Sequence, residues 1–156
     1  MKNWFYYSDE NEIKKIQSVD DYEKDCFGFI YKRTNITNNK IKNRKKYLFH
    51  TTKKKYTLAE KAENKKINIW KEYKYVVKES DWKKYYGSNK KLIEDIKILG
   101  YENFDREIIK FCYDKRSLTY WETSYQFKYD VLLTESYNDN ISGRYYREDF
   151  NLDKKD

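Results

Sequence analysis

The sequence predicts a small α+β sandwich in which a central, mostly antiparallel three-stranded sheet is flanked by helices. Three observations support this. The chain has 156 residues, the length of one domain with one modest core. Short β-rich runs and helical patterns follow one another in the order strand, strand, insertion, helix, strand, helix, which packs as a sheet covered by helices. The apolar 38% of the chain includes 18 tyrosines, so rings rather than aliphatic side chains must close the core. The 38% of charged residues suits a disordered chain, but disordered chains are poor in aromatics, and 19% Phe, Trp and Tyr marks this one as folded.

Residues 1–24 mix aromatics with charges at no clear period and are read as an N-terminal extension of unassigned structure and unknown role. The domain proper is expected over 25–156, with an insertion at about 50–87. Phe27 to Thr34 is β-rich, Asn35 to Lys40 is rich in turn formers, and Lys46-Tyr47-Leu48-Phe49 is a second β-rich run, which together predict a hairpin. Thr57 to Asn68 contains good helix formers on a narrow apolar face and predicts an exposed helix in the insertion. Glu72 to Lys78 alternates partly like a strand. The clearest helix spans Ser88 to Leu99, with Ser88 as cap, Leu92, Ile93, Ile96 and Leu99 on one face, and Gly100 as its end. Phe104 to Phe111 reads as a strand. A last helix runs from near Ser117 to about Tyr129, with Leu118, Trp121, Tyr125 and Tyr129 near one stripe and Glu122 beside it.

Charge and residue counts narrow the function classes. The net charge is +8, from 34 Lys+Arg against 26 Asp+Glu. Basic charge with interleaved aromatics suits a nucleic acid or another polyanion, because ammonium groups displace counterions from phosphates and rings stack on bases. Lys outnumbers Arg 28 to 6, which together with abundant Asn, Ile and Tyr also suits an AT-rich coding sequence with no selected ligand. No run of about 18 apolar residues is present, and Met1 to Tyr7 lacks the features of a secretory signal, so the expected location is the cytoplasm, away from any membrane. Cys26, Cys112 and the single His50 cannot complete a four-ligand zinc site, and the cysteines are read as reduced, buried small hydrophobes.

A resemblance emerges from several blocks in order. Gly28-Phe29-Ile30-Tyr31 and Lys46-Tyr47-Leu48-Phe49 form a pair of motif strands. Glu79 to Ser88 and Gly100 to Ile109 follow, then Glu122, then Tyr137-Asn138. From Gly28 to about Gly143 this set resembles the GIY-YIG nuclease superfamily, specifically its phage-type members. The resemblance implies a compact antiparallel sheet with flanking helices and hydrolysis of a DNA phosphodiester with one divalent metal, Mg²⁺ or Mn²⁺. It places Tyr31 and Tyr47 together at the sheet, one of them helping to activate the attacking water. It assigns the metal to Glu122, a hard oxygen ligand on the last long helix, and the shaping of the site to Asn138. For a phage-encoded protein the location it implies is the host-cell cytoplasm.

Two departures accompany the resemblance. Phe49 stands where the family has glycine, and the phosphate-binding arginine expected shortly afterwards is missing, since no arginine lies between Arg44 and Arg106. Lys53, Lys54 and Lys55 are the candidate replacements, with Arg33 and Arg106 as further DNA contacts, although an ammonium lacks the bidentate fork of a guanidinium. His50 reads either as a proton-transfer group or as a surface histidine. Three functions follow: a metal-dependent DNA endonuclease, a catalytically impaired GIY-YIG-derived DNA-binding protein, or a phage protein-interaction module such as a virion component or host-enzyme inhibitor.

Overall fold

The computed structural model describes residues 2–16 and 25–150. Met1 and residues 17–24 of the expected extension, and 151–156 at the end of the expected domain, lie outside the described residues.

The chain opens with a hairpin of β1 (Trp4–Tyr7) and β2 (Ile13–Ile16). β3 (Gly28–Asn35) then pairs antiparallel with β4 (Ile41–Tyr47). In the turn between them the Asn35 carboxamide oxygen accepts from the Thr37 N–H at 3.1 Å. A separate two-stranded ribbon, β5 (Phe49–Lys55) and β6 (Tyr73–Glu79), carries helix α1 (Leu58–Lys66) between its strands. Helix α2 (Lys90–Leu99), strand β7 (Phe104–Cys112) and helix α3 (Lys115–Lys128) complete the body, and a small β8 (Asn140–Ile141) and β9 (Tyr145–Tyr146) pair follows.

The main sheet has five strands in the order β2-β1-β7-β3-β4. The expected α+β class holds, but the expected three-stranded antiparallel sheet needs correction. β7, β3 and β4 are antiparallel, whereas β1 adds beside β7 in parallel and brings β2 with it. Trp4 and Ile16 anchor this addition by burying against Phe29, Tyr31 and Trp82, and the Trp4 indole donates to the Trp82 carbonyl at 2.6 Å. Four-residue strands with one buried residue each leave almost no period to read.

Each face of the sheet has its own core. Trp4, Phe29, Tyr31, Trp82 and Ile108 fill one side. On the other, Leu118 of α3 packs on Ile30 and Cys112. Gly28 makes that approach feasible, because a Cβ there would stand 2.6 Å from the Lys46 carbonyl and 2.8 Å from a Leu118 methyl. α2 buries Leu92 and Ile96 against Phe104 and Tyr137 and stops at Gly100, whose φ of 86° favours glycine. Both cysteines are buried thiols, and Cys26 donates weakly to the carbonyls of Gly28 and Cys112.

Local boundaries shift for identifiable reasons. The run at 46–49 is not one strand: Tyr47 ends β4, Phe49 begins β5, and the fully buried Leu48 is the breakpoint, its N–H donating to the Phe27 carbonyl and its own carbonyl accepting from Ser80. Asn89 rather than Ser88 caps α2, and Asp114 caps α3 three residues before Ser117. No helix among the described residues is long and apolar enough to cross a membrane.

Candidate active site

β4 is the outer strand of the main sheet, so its outward N–H and C=O groups have no strand neighbour and must be satisfied otherwise. Side chains of α3 and the segment 136–138 do this. The Lys45 N–H donates to Glu122 Oε2 at 2.8 Å and the Asn43 N–H to Asn138 Oδ1 at 2.9 Å. The Asn43 carbonyl accepts from Gln126 Nε2 at 2.8 Å and Asn138 Nδ2 at 2.7 Å, and the Ile41 carbonyl accepts from the Tyr137 N–H at 2.7 Å. Glu122, Gln126 and Asn138 are consequently buried.

Beside this edge lies a cavity of about 540 Å³ with Lys42, Arg44, Lys45, Asn89, Glu122, Asn138 and Asp139 among its lining residues. Arg44 Nε stands 3.8 Å from Glu122 Oε2, and the Lys45 ammonium 4.0 Å from Oε1. The Lys42 ammonium donates to the Tyr137 carbonyl at 3.1 Å, and burial, with the neighbouring Arg44 charge, pushes its pKa down to about 8. Asn89 fixes the α2 end of the wall, donating to the Tyr137 carbonyl and to Asp139. Four cations on the wall, Lys42, Arg44, Lys45 and Lys90, against the two carboxylates Glu122 and Asp139 make the cavity a place for a polyanion.

Of the residues singled out in the sequence, Glu122 and Asn138 share this cavity. The two motif tyrosines are not brought together. Tyr47 pairs with Gly28, three residues along β3 from Tyr31, and an odd separation puts them on opposite faces. Tyr31 is fully buried beside Trp4, Phe29 and Tyr85, where desolvation raises its pKa. Tyr47 packs edge-on against Phe27 under α3. His50, Lys53, Lys54 and Lys55 lie on β5, exposed and outside the cavity, while Phe49 packs against the core around Trp82.

The expected DNA contacts Arg33 and Arg106 need correction, for both are buried. Arg33 donates to the Tyr85 carbonyl, and Arg106 to the carbonyls of Lys2, Lys83 and Tyr85. Their guanidinium groups lie over the rings of Trp4 and Tyr86, and desolvation lowers each pKa to about 10. They serve as planar core material among aromatics.

Sequence reasoning missed Lys42, Arg44, Lys45, Asn89 and Asp139. Arg44 was within reach of it: closing the hairpin around residues 35–40 sets Arg44 directly across from Tyr31. Among the described residues no three His, Cys, Asp or Glu side chains gather at one point. Residues 11–149 match the family model described as "Putative endonuclease segE, GIY-YIG domain". No curated protein and no solved structure matches the chain.

Proposed function

Because the chain belongs to the GIY-YIG endonuclease domain family, we propose that the cavity on the β4 edge hydrolyses DNA phosphodiester bonds with one divalent metal. The observation that carries this reading is the meeting of one buried carboxylate, Glu122, with Lys42, Arg44 and Lys45 in one polar cavity.

The donor set suits Mg²⁺ or Mn²⁺. Mg²⁺ typically binds one or two carboxylates and completes its shell with water and phosphate oxygens, and Glu122 and Asp139 are the carboxylates on the cavity wall. With Glu122 as its ligand, such an ion would supply charge neutralisation at the phosphate and the leaving oxygen. The rest falls to the chain. Arg44 presents a planar fork to two phosphate oxygens, the task for which the stretch after the second motif offers no arginine. Lys45 adds a second positive charge. Lys42, deprotonated above about pH 8, takes a proton from the attacking water. Asn138 positions the site, since both ends of its carboxamide are tied to the Asn43 backbone.

DNA binding without cleavage is the second reading, favoured by one observation: neither Tyr31 nor Tyr47 lines the cavity. A plasmid assay with Mg²⁺ or Mn²⁺ separates the two. Nicking or linearisation by the wild-type protein, lost in Glu122→Gln and in EDTA, supports the nuclease. Well-folded protein that binds plasmid and leaves it intact supports the second reading.

A further inference from the structure

The β5–α1–β6 arm stands apart from the main sheet beyond its root at Phe49 and Glu79. Its two strands form a sheet of their own, and α1 buries no residue. Two-stranded hairpins are marginal in water, and this one leaves Leu58, Trp70, Tyr75 and Val77 exposed, Trp70 at 72% and Tyr75 at 71%. Its charge is equally lopsided. Residues 50–78 hold nine lysines against three glutamates, a net +6 of the chain's +8.

From these features, and resting on the nuclease-family reading above, we infer that the arm is a duplex-DNA grip, a basic β-ribbon that enters the major groove. The shape fits, since the major groove admits a two-stranded ribbon, and seven residue pairs span about 20 Å at roughly 3.4 Å each. The register sorts the side chains into two exposed faces. His50, Thr52, Lys54, Lys74 and Lys78 share one face, where Lys54 and Lys78 present ammonium groups to phosphates while Lys74 pairs with Glu60. Lys53, Lys55 and Tyr75 share the other, where the Lys53 ammonium rests 4.3 Å from the centre of the Tyr73 ring. The Thr57–Glu60 capping box and the Lys74–Glu60 ion pair hold α1 at the tip of the ribbon. The root is firm as well. β5 continues from β4, the strand that lines the cavity, through the buried Leu48, and the Ser80 hydroxyl donates to the Tyr47 carbonyl at 2.6 Å. A duplex held by the arm is thereby tethered to the strand that bears Lys42 and Arg44.

The test is a salt titration of binding to a labelled 30-base-pair duplex in EDTA, read by fluorescence anisotropy. The arm variant K54Q/K55Q/K78Q is compared with a body variant of equal charge, K15Q/K97Q/K115Q, with circular dichroism to verify both folds. The slope of log affinity against log salt should fall by roughly one per lysine removed from the arm, about three in all, and by less than one for the body variant. An unchanged slope in the arm variant, or an equal fall in both, overturns the proposal and points the arm toward a protein partner. Wild-type protein that does not bind duplex at all overturns the proposal and the functional reading together, whereas binding that ignores the arm leaves the functional reading standing.

Discussion

Glu122 does two things with one carboxylate. Oε2 accepts from the Lys45 N–H and so seals the sheet edge, while the side chain also lines the cavity. The two roles come apart by substitution. Glu122→Gln keeps an oxygen for the Lys45 N–H and should melt within a few degrees of wild type while losing cleavage. Glu122→Ala should in addition lose on the order of 1–3 kcal/mol, the usual cost of stranding a buried donor, measurable by denaturant unfolding. Lys42 is the second residue with a separable signature. Its folded pKa, about 8, lies below the value of 10.5 for a free lysine, so between those limits the unfolded chain binds more protons. The Lys42 contribution to stability therefore rises with pH from about 8 to 10.5, by on the order of 3 kcal/mol. Lys42→Met should flatten that rise in melts taken across the window, and an unchanged profile would mean that the amine is solvated. The buried arginines behave differently. Arg106→Met takes the guanidinium donor from the Lys83 carbonyl, leaving the Lys2 carbonyl only the Tyr86 hydroxyl and the Tyr85 carbonyl only Arg33, and should cost on the order of 1–3 kcal/mol, yet leave the salt dependence of DNA binding unchanged.

Among the elements, those with an apolar period could be read from sequence and those held by polar contacts could not. α2 shows its buried Leu92 and Ile96 at helical spacing, and Gly100 ends it as expected. β4 shows nothing comparable, because Ile41-Lys42-Asn43-Arg44-Lys45-Lys46-Tyr47 carries four cations in seven residues. It is a strand because β3 pairs with its inner edge and Glu122, Gln126 and Asn138 satisfy its outer one. The same contacts explain α3. Its aromatic stripe points to Trp121 and Tyr125, which do pack partly against the core, but its fully buried line is Leu118, Glu122 and Gln126 at i, i+4 and i+8. Two polar residues in a buried line carry no hydrophobic signal, so the carboxylate could be found by resemblance and the cavity around it could not. The α3–β3 contact makes its own prediction. Gly28→Ala puts a Cβ against the Lys46 carbonyl and Leu118 and should destabilise by on the order of 1–3 kcal/mol, visible as a lower denaturation midpoint with the same slope. A neutral outcome would show that α3 is free to shift outward.

At the scale of the molecule, the parts divide the work. The five-stranded sheet and its aromatic cores fix β4, and β4 with α3 and the 136–139 segment forms the cavity. The arm that leaves β4 at Leu48 carries most of the net charge. Length, aromatic content and the order of elements foretold the α+β class; the parallel addition of β1 and the chain's exit at Leu48 depend on tertiary contacts of Trp4 and Leu48 with distant residues, which no local pattern encodes. The proposed hydrolysis belongs to the cavity lined by Glu122 and Arg44 rather than to the motif tyrosines. The measurement that tests it most directly is the initial rate of Mg²⁺-dependent plasmid nicking by Arg44→Met beside Tyr47→Phe. Arg44→Met should be slower by about 100-fold or more, the scale for losing one charge-stabilising group at a reacting centre, with Tyr47→Phe close to wild type. A wild-type rate in Arg44→Met, or loss of nicking in Tyr47→Phe, would contradict it.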